Sequence, residues 1–196
     1  MIIGLVGLIG AGKGTVADIL VDKHGFIKES FANSVKDSVS VVFGWNREML
    51  EGATSESREW REKPDKFWSE KFGKEFSPRM ALQLMGTEAG RDVFHPDLWI
   101  FTALRRMQSD KNYVLADVRF PNEIQRIREA GGKIVWVRRG PLPDWYLTAR
   151  DNSEMMRTVY PDVHYSEWAW IGQEIDVIIE NNKTLNDLQD KVNLLL

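Results

Sequence analysis

The chain has 196 residues, 43% hydrophobic and 28% charged, with 26 Lys plus Arg against 29 Asp plus Glu and a formal net charge of -3. These values fit one ordinary folded domain, exclude a chain disordered as a whole, and leave no global positive field for DNA, RNA or an anionic membrane. The absence of cysteine excludes a disulfide scaffold, a thiolate nucleophile and any Cys-ligated zinc or iron–sulfur site.

The first apolar run, residues 2–6, is short, mostly β-branched and followed by glycines rather than by a long apolar stretch, so it reads as a strand and not as a signal peptide. Val16, Ile19 and Leu20 then repeat at helical spacing up to Gly25. A weak strand is expected over 26–31. Residues 44–78 mix charge with Trp45, Trp60, Phe67, Trp68 and Phe72, and read as an insertion or as solvated surface. Strands are expected over 113–116, 133–137 and 175–179, separated by a helix between Pro121 and Gly131. A second irregular, proline-bearing excursion, 139–173, comes before the last of these strands. A final helix carries Leu185, Leu188, Val192 and Leu195 behind Thr184 as its N-cap. Alternating strands and helices predict a three-layer α/β fold with a five-stranded parallel sheet. No apolar run is long enough to span a membrane, and a cytoplasmic protein is the simplest expectation.

The most specific signal is Gly7-Leu8-Ile9-Gly10-Ala11-Gly12-Lys13-Gly14-Thr15, placed between a strand and a helix. Glycines let backbone amides approach phosphate oxygens, the helix N-terminus favours an anion, and Lys13 adds a full charge. Gly10, Ala11, Gly12, Lys13, Gly14 and Thr15 are therefore the expected ATP-binding residues of a P-loop fold. Gly14 stands where a metal-binding Ser or Thr usually follows the lysine. This ending is similar to that of adenylate kinases, in which Mg²⁺ is held chiefly by phosphate and water. No Asn-Lys-x-Asp motif of a GTP switch is present. Strand 113–116 delivers Asp117 and Arg119 to the sheet edge where parallel α/β folds bind ligands. Asp117 is a candidate for holding Mg²⁺ through water and Arg119 for gripping a phosphate; a structural ion pair, with each other or with Glu123, is the alternative.

Asp117-Val118-Arg119-Phe120-Pro121-Asn122-Glu123, Ser77-Pro78-Arg79, the run from Leu82 to Arg91, Pro96-Asp97-Leu98-Trp99 and His164-x-Ser166-Glu167 together resemble the deoxynucleoside monophosphate kinases of tailed bacteriophages. The resemblance runs from Gly7 to Leu188. It implies transfer of the γ-phosphoryl of ATP to a deoxynucleoside 5′-monophosphate, with Mg²⁺, on a single P-loop kinase domain 1–196. In that scheme the core is 1–43, 97–138 and 174–196, a monophosphate-binding insertion covers about 44–96 and a lid about 139–173. It further implies that Lys13, Asp117, Arg119 and Arg139 are catalytic, that Lys36, Arg79, Gln83, Thr87, Arg91 and Trp99 bind the monophosphate, and that Asn181 lies by the adenine.

The residues themselves leave alternatives. Gln83 and Thr87, four apart on an expected helix, share a face that either reads a base or is plain surface. Trp99 either stacks on a base or packs in the core. Lys183 occupies a turn in which the relatives carry glycine. His164 with Ser166 and Glu167 has no nucleophile elbow and reads as lid structure. The partners expected are small nucleotides, not nucleic acid or membrane, with homodimer formation left open; a phage-encoded chain would work in the host cytoplasm. Two competing functions are a P-loop kinase for another acceptor, such as dephospho-coenzyme A, and a nucleotide-binding regulator that exposes Trp45, Trp60, Trp68, Trp168 and Trp170 to a partner.

Overall fold

Strand β1 (Ile2–Val6) is the middle of a parallel sheet, described together with the rest of residues 1–196 by a computed structural model. In chain order follow α1 (Lys13–His24), β2 (Ile27–Glu29), α2 (Asn33–Phe43), α3 (Arg47–Glu51), α4 (Ser55–Glu62), α5 (Lys66–Phe72) and α6 (Pro78–Leu84). A π-helix (Met85–Phe94), α7 (Leu98–Arg106), β3 (Tyr113–Leu115), α8 (Pro121–Glu129) and β4 (Lys133–Arg138) come next. Then come the short helices α9 (Tyr146–Asp151), α10 (Met156–Val159) and α11 (Tyr165–Trp168), strand β5 (Val177–Glu180) and α12 (Leu185–Asn193). The chain divides into two units, one of residues 1–30 and 107–196 and the other of 31–106.

The first unit holds the five-stranded parallel sheet, in the order β2-β3-β1-β4-β5. The expected fold class is borne out. Ile2–Gly4 pair with Tyr113–Leu115 on one side, and Ile3–Val6 with Lys133–Trp136 on the other. Ile3, Leu5, Val114, Val135 and Val137 join Val16, Leu20, Leu188 and Val192 in one buried cluster, so α1 and α12 supply apolar partners to the central strands. Gly4 serves close packing: a Cβ there would stand 2.8 Å from the Ile127 side chain of α8 and 3.0 Å from Ile134. At the edge strand β5 the covering ends, and Ile178 is half exposed. This strand begins two residues later than expected, because Asp176 turns its carboxylate onto the Ile134 amide at 2.6 Å and onto Arg128. β2 has only three residues rather than six. The excursion after β4 is a set of short helices anchored by Trp136, which stacks on Tyr146 at 5.8 Å and meets Trp170 at 5.3 Å.

The second unit is helical. It takes in the expected insertion of 44–96 together with residues 31–43 and 97–106. The reason is packing: Val39 of α2 shares a core with Trp45, Leu50, Phe76 and Ala81, with Phe43, Trp60 and Trp68 against them. The tryptophan patch proposed for a partner is corrected. Trp45, Trp168 and Trp170 are buried, Trp60 and Trp68 half-buried, and the Trp45 and Trp68 indoles donate to Asp65 and to the Phe43 carbonyl. The short helices persist because side chains cap them: Asn46, Thr54, Asp65 and Ser77 each accept a backbone N–H of the first turn. No helix in the chain is long and apolar enough to cross a membrane.

Candidate active site

The loop between β1 and α1 has the conformation its glycines allow. Gly7, Gly10 and Gly12 have φ of 142°, 76° and 97°, values that strain any residue with a Cβ. Gly7 and Gly12 are also crowded, a Cβ standing 2.3 Å from the Val137 carbonyl in one case and 2.3 Å from the Asn181 amide in the other. At Gly14 a Cβ meets nothing within 4 Å, so that glycine marks open space rather than strain. The Ala11 amide closes the turn onto the Leu8 carbonyl at 3.2 Å. Lys13, the first residue of α1, folds over the loop and donates to the Gly7 and Leu8 carbonyls at 2.6 and 2.9 Å. Burial, then the positive charge of Arg119, push its ammonium down to about 8, against an opposing pull from Glu167. An ammonium held among carbonyls and beside an arginine is a site that gains from an incoming anion.

Asn181, expected beside the adenine, braces this loop: its amide donates to the Ala11 carbonyl at 2.9 Å, while its backbone N–H continues the β4 register onto the Arg138 carbonyl. Asp117 leaves the tip of β3 and accepts the Ser30 hydroxyl at 2.6 Å. Glu123, almost wholly buried, accepts the backbone N–H groups of Arg119 and Phe120 at 2.8 and 3.1 Å. It thereby fixes the turn that presents Arg119 while leaving the guanidinium to other partners. That guanidinium reaches the second excursion, donating to Ser166 at 3.2 Å with Glu167 at 3.9 Å. Ser166 in turn lies 2.9 Å from the ring of His164, the N-cap of α11. The late His-x-Ser-Glu motif is thus an arginine-positioning element of the excursion. Arg138 lies 3.3 Å from Glu180 and over Trp136, whereas Arg139 is exposed.

In the helical unit, Lys36 lies on α2 with its side chain 12% exposed and donates to Glu51 at 2.6 Å. Arg79 is exposed at the start of α6. Sequence reasoning missed Arg61 of α4, whose charge is repelled by that of Arg79. Its guanidinium packs on Gly52, where a Cβ would lie 2.2 Å away; its Nε is buried without a hydrogen-bond partner, and one Nη donates to the Leu50 carbonyl at 3.4 Å. Burial and the like charges of Arg79 and Arg58 push it below its ordinary pKa. An arginine that feels the like charges of two others is relieved by a nearby anion. The only sequence signal was a charge run, which equally fits a solvated face.

Gln83 and Thr87 do not share one α-helical face. Gln83 lies in the last turn of α6, and Thr87 lies in the wider π-helix, whose i to i+5 winding shifts the four-residue register; both are exposed. Trp99 is buried rather than presented for stacking: its indole donates to the Gly86 carbonyl at 2.8 Å, and its ring fills the place a side chain at Gly90 would take. The π-helix is built over this ring and carries Arg91, half-buried, in its last turn.

The family model described as deoxynucleotide monophosphate kinase matches residues 52–192. A protein of Acanthamoeba polyphaga mimivirus named as a candidate deoxynucleotide monophosphate kinase is 30% identical, with 98% of this chain and 94% of that protein covered. The deoxynucleoside-5′-monophosphate kinase of Escherichia phage T5 is 29% identical over 66% of this chain and 72% of its own length. Among solved structures, shikimate kinase from Aquifex aeolicus aligns with 100% of this chain and 95% of its own at 14% identity and a TM-score of 0.47. Dephospho-CoA kinase from Campylobacter jejuni aligns with 99% and 94% at 15% identity and the same score. The family match spans most of the chain, and the mimivirus relative extends the likeness through the glycine loop; this protein belongs to the deoxynucleotide monophosphate kinase family.

Proposed function

We propose that the chain transfers the γ-phosphoryl group of ATP to a deoxynucleoside 5′-monophosphate, giving the diphosphate and ADP, with a division of labour between its two units. The observation that carries this reading is Lys13 folded over a glycine loop at positive φ, with the charge of Arg119 acting on it. A phosphate oxygen of the acceptor attacks the γ-phosphorus in line while the bond to the β-phosphate oxygen breaks. The acceptor oxygen is already nucleophilic, so the protein's task is to neutralise charge and align the two anions. Residues 10–15 and Asn181 hold the triphosphate side. Lys13, Arg119 and Arg139 balance charge on the transferring group. Lys36, Arg79, Gln83, Thr87 and Arg91 hold the acceptor, joined by Arg61, with Trp99 supporting them from below.

Mg²⁺ fits this site as a water-bridged ion. No three His, Cys, Asp or Glu side chains converge on one point, but Asp117 and the Ser30 hydroxyl offer hard oxygen donors at the sheet edge. Asp117 would be the residue to hold the ion, which when bound would supply neutralisation of phosphate charge. The relatives from phage T5 and mimivirus support a role in nucleotide supply within an infected cell. The test is product analysis of ATP with each dNMP, the corresponding NMPs and dephospho-coenzyme A. Diphosphate formation from deoxynucleotides is expected; phosphorylation of dephospho-coenzyme A alone would overturn the reading.

A further inference from the structure

We propose that Glu51 is a resident counter-ion of the acceptor site, whose carboxylate neutralises Lys36 and Arg47 and is exchanged for the phosphate of an incoming deoxynucleoside monophosphate. The inference rests on the reading of Lys36, Arg61 and Arg79 as the acceptor's anion site, and adds to it the group that competes there.

Glu51 is the last residue of α3, followed by Gly52 at φ 68°, the end of a helix at which a negative charge is least favoured. It is kept there by cations. One carboxylate oxygen accepts from Lys36 at 2.6 Å and the other from Arg47 at 2.7 Å. Its negative charge also acts on Arg61, whose guanidinium is repelled by Arg79. Burial pushes the Glu51 carboxyl up, but the hydrogen bonds from Arg47 and Lys36 outweigh it and hold the group below its ordinary range. Glu51 is thus a charged carboxylate among three cations, Lys36, Arg47 and Arg61.

The two direct partners differ in what they keep when Glu51 leaves. Arg47 retains Asp37 at 2.6 Å and Asn33 at 3.2 Å. Lys36 has only Glu51, at 2.6 Å, and its side chain is 12% exposed, so its desolvated ammonium is left to the arriving anion. A phosphate monoester carries close to two negative charges at neutral pH against the single charge of a carboxylate, and offers three acceptor oxygens. The exchange is therefore favoured for a phosphate and not for an uncharged nucleoside. A cavity of about 490 Å³ with Arg47, Glu51, Thr54 and Ser57 on its wall gives the displaced side chain room to rotate. The result is a site whose lysine stays ordered and whose charge stays balanced until the correct group arrives.

Isothermal titration of the full chain with the four common dNMPs, with inorganic phosphate and with the matching deoxynucleosides tests this, using wild type, Glu51→Gln, Lys36→Ala and the double variant. Glu51→Gln is expected to tighten dNMP and phosphate roughly three- to tenfold, to leave deoxynucleoside affinity unchanged, and to lose its gain in the Lys36→Ala background. A merely structural role would weaken all ligands together. Unchanged or weaker phosphate binding in a folded Glu51→Gln protein overturns the counter-ion, provided Lys36→Ala itself weakens dNMP binding. If Lys36→Ala binds dNMP like wild type, the acceptor-site reading fails and this inference with it. Glu51→Asp, which withdraws the charge by one methylene, serves if the glutamine variant does not fold; a smaller tightening supports the exchange and a loss overturns it.

Discussion

In the proposed reading, the two units bind phosphate by different means. Around the glycine loop the work is done by main chain: positive φ at Gly7, Gly10 and Gly12 opens the loop, and one lysine folds across it onto carbonyls. In the helical unit the proposed binding groups are side chains on separate helices, Lys36 on α2, Arg61 on α4 and Arg79 on α6, and these helices share one aromatic core. A main-chain site needs a contiguous stretch of particular residues and tolerates little change. A side-chain site needs only cations on faces that packing brings together. The comparison teaches that loss of a single group should be severe in the first unit and graded in the second.

The largest expected effect tests the first half of that contrast. Lys13→Ala should lower kcat/KM for ATP by roughly 10²- to 10³-fold while its thermal melt stays at or above that of wild type, since a buried ammonium is removed; steady-state kinetics with near-normal turnover would sink the site. Arg61→Ala should raise KM for the deoxynucleotide about 10- to 100-fold, the range for a hydrogen bond to a charged group, and leave KM for ATP alone. Equal effects on both substrates would dissolve the division between the units, and Arg61→Lys should restore part of the loss.

Acidity sharpens the contrast further. Lys13 is held at about 8 in the folded chain against an ordinary 10.5, so between these values the unfolded chain binds the extra proton and folding stability rises with pH. Denaturant midpoints of wild type minus those of Lys13→Met should climb from pH 8 to 10.5. Over the same rise, ATP binding to the free enzyme should fall as the ammonium is lost; a flat affinity would show that the lysine is not a phosphate ligand. The smallest effect is expected at Trp99→Phe, which keeps a ring but loses the bond to Gly86. About 1 kcal/mol of stability should go, with KM for the deoxynucleotide within about twofold of wild type; a large KM effect would restore Trp99 to direct contact with the base.

What was legible followed the same division. The strand, the glycine loop and the helix after it are neighbours in sequence, so local spacing sufficed for the phosphate loop, for Lys13 and, through the strand–helix alternation, for a parallel sheet. Asp117 and Arg119 were legible for the same reason, lying at a strand tip. The role of Glu123 was not, because the choice between a guanidinium and two backbone amides is made by the turn. Nor was the bond from Asn181 to the loop, which depends on β5 running beside β4. The charge run of 44–78 looked like surface because a charge's partner is invisible until helices pack. Only the tertiary structure packed Arg61 on Gly52, gave Glu51 to Lys36 and buried Trp99 beneath a π-helix. Backbone conformation is written in adjacent residues, whereas electrostatic environment is set by groups far apart in the chain, and here that difference separates what the sequence alone determined from what folding decided.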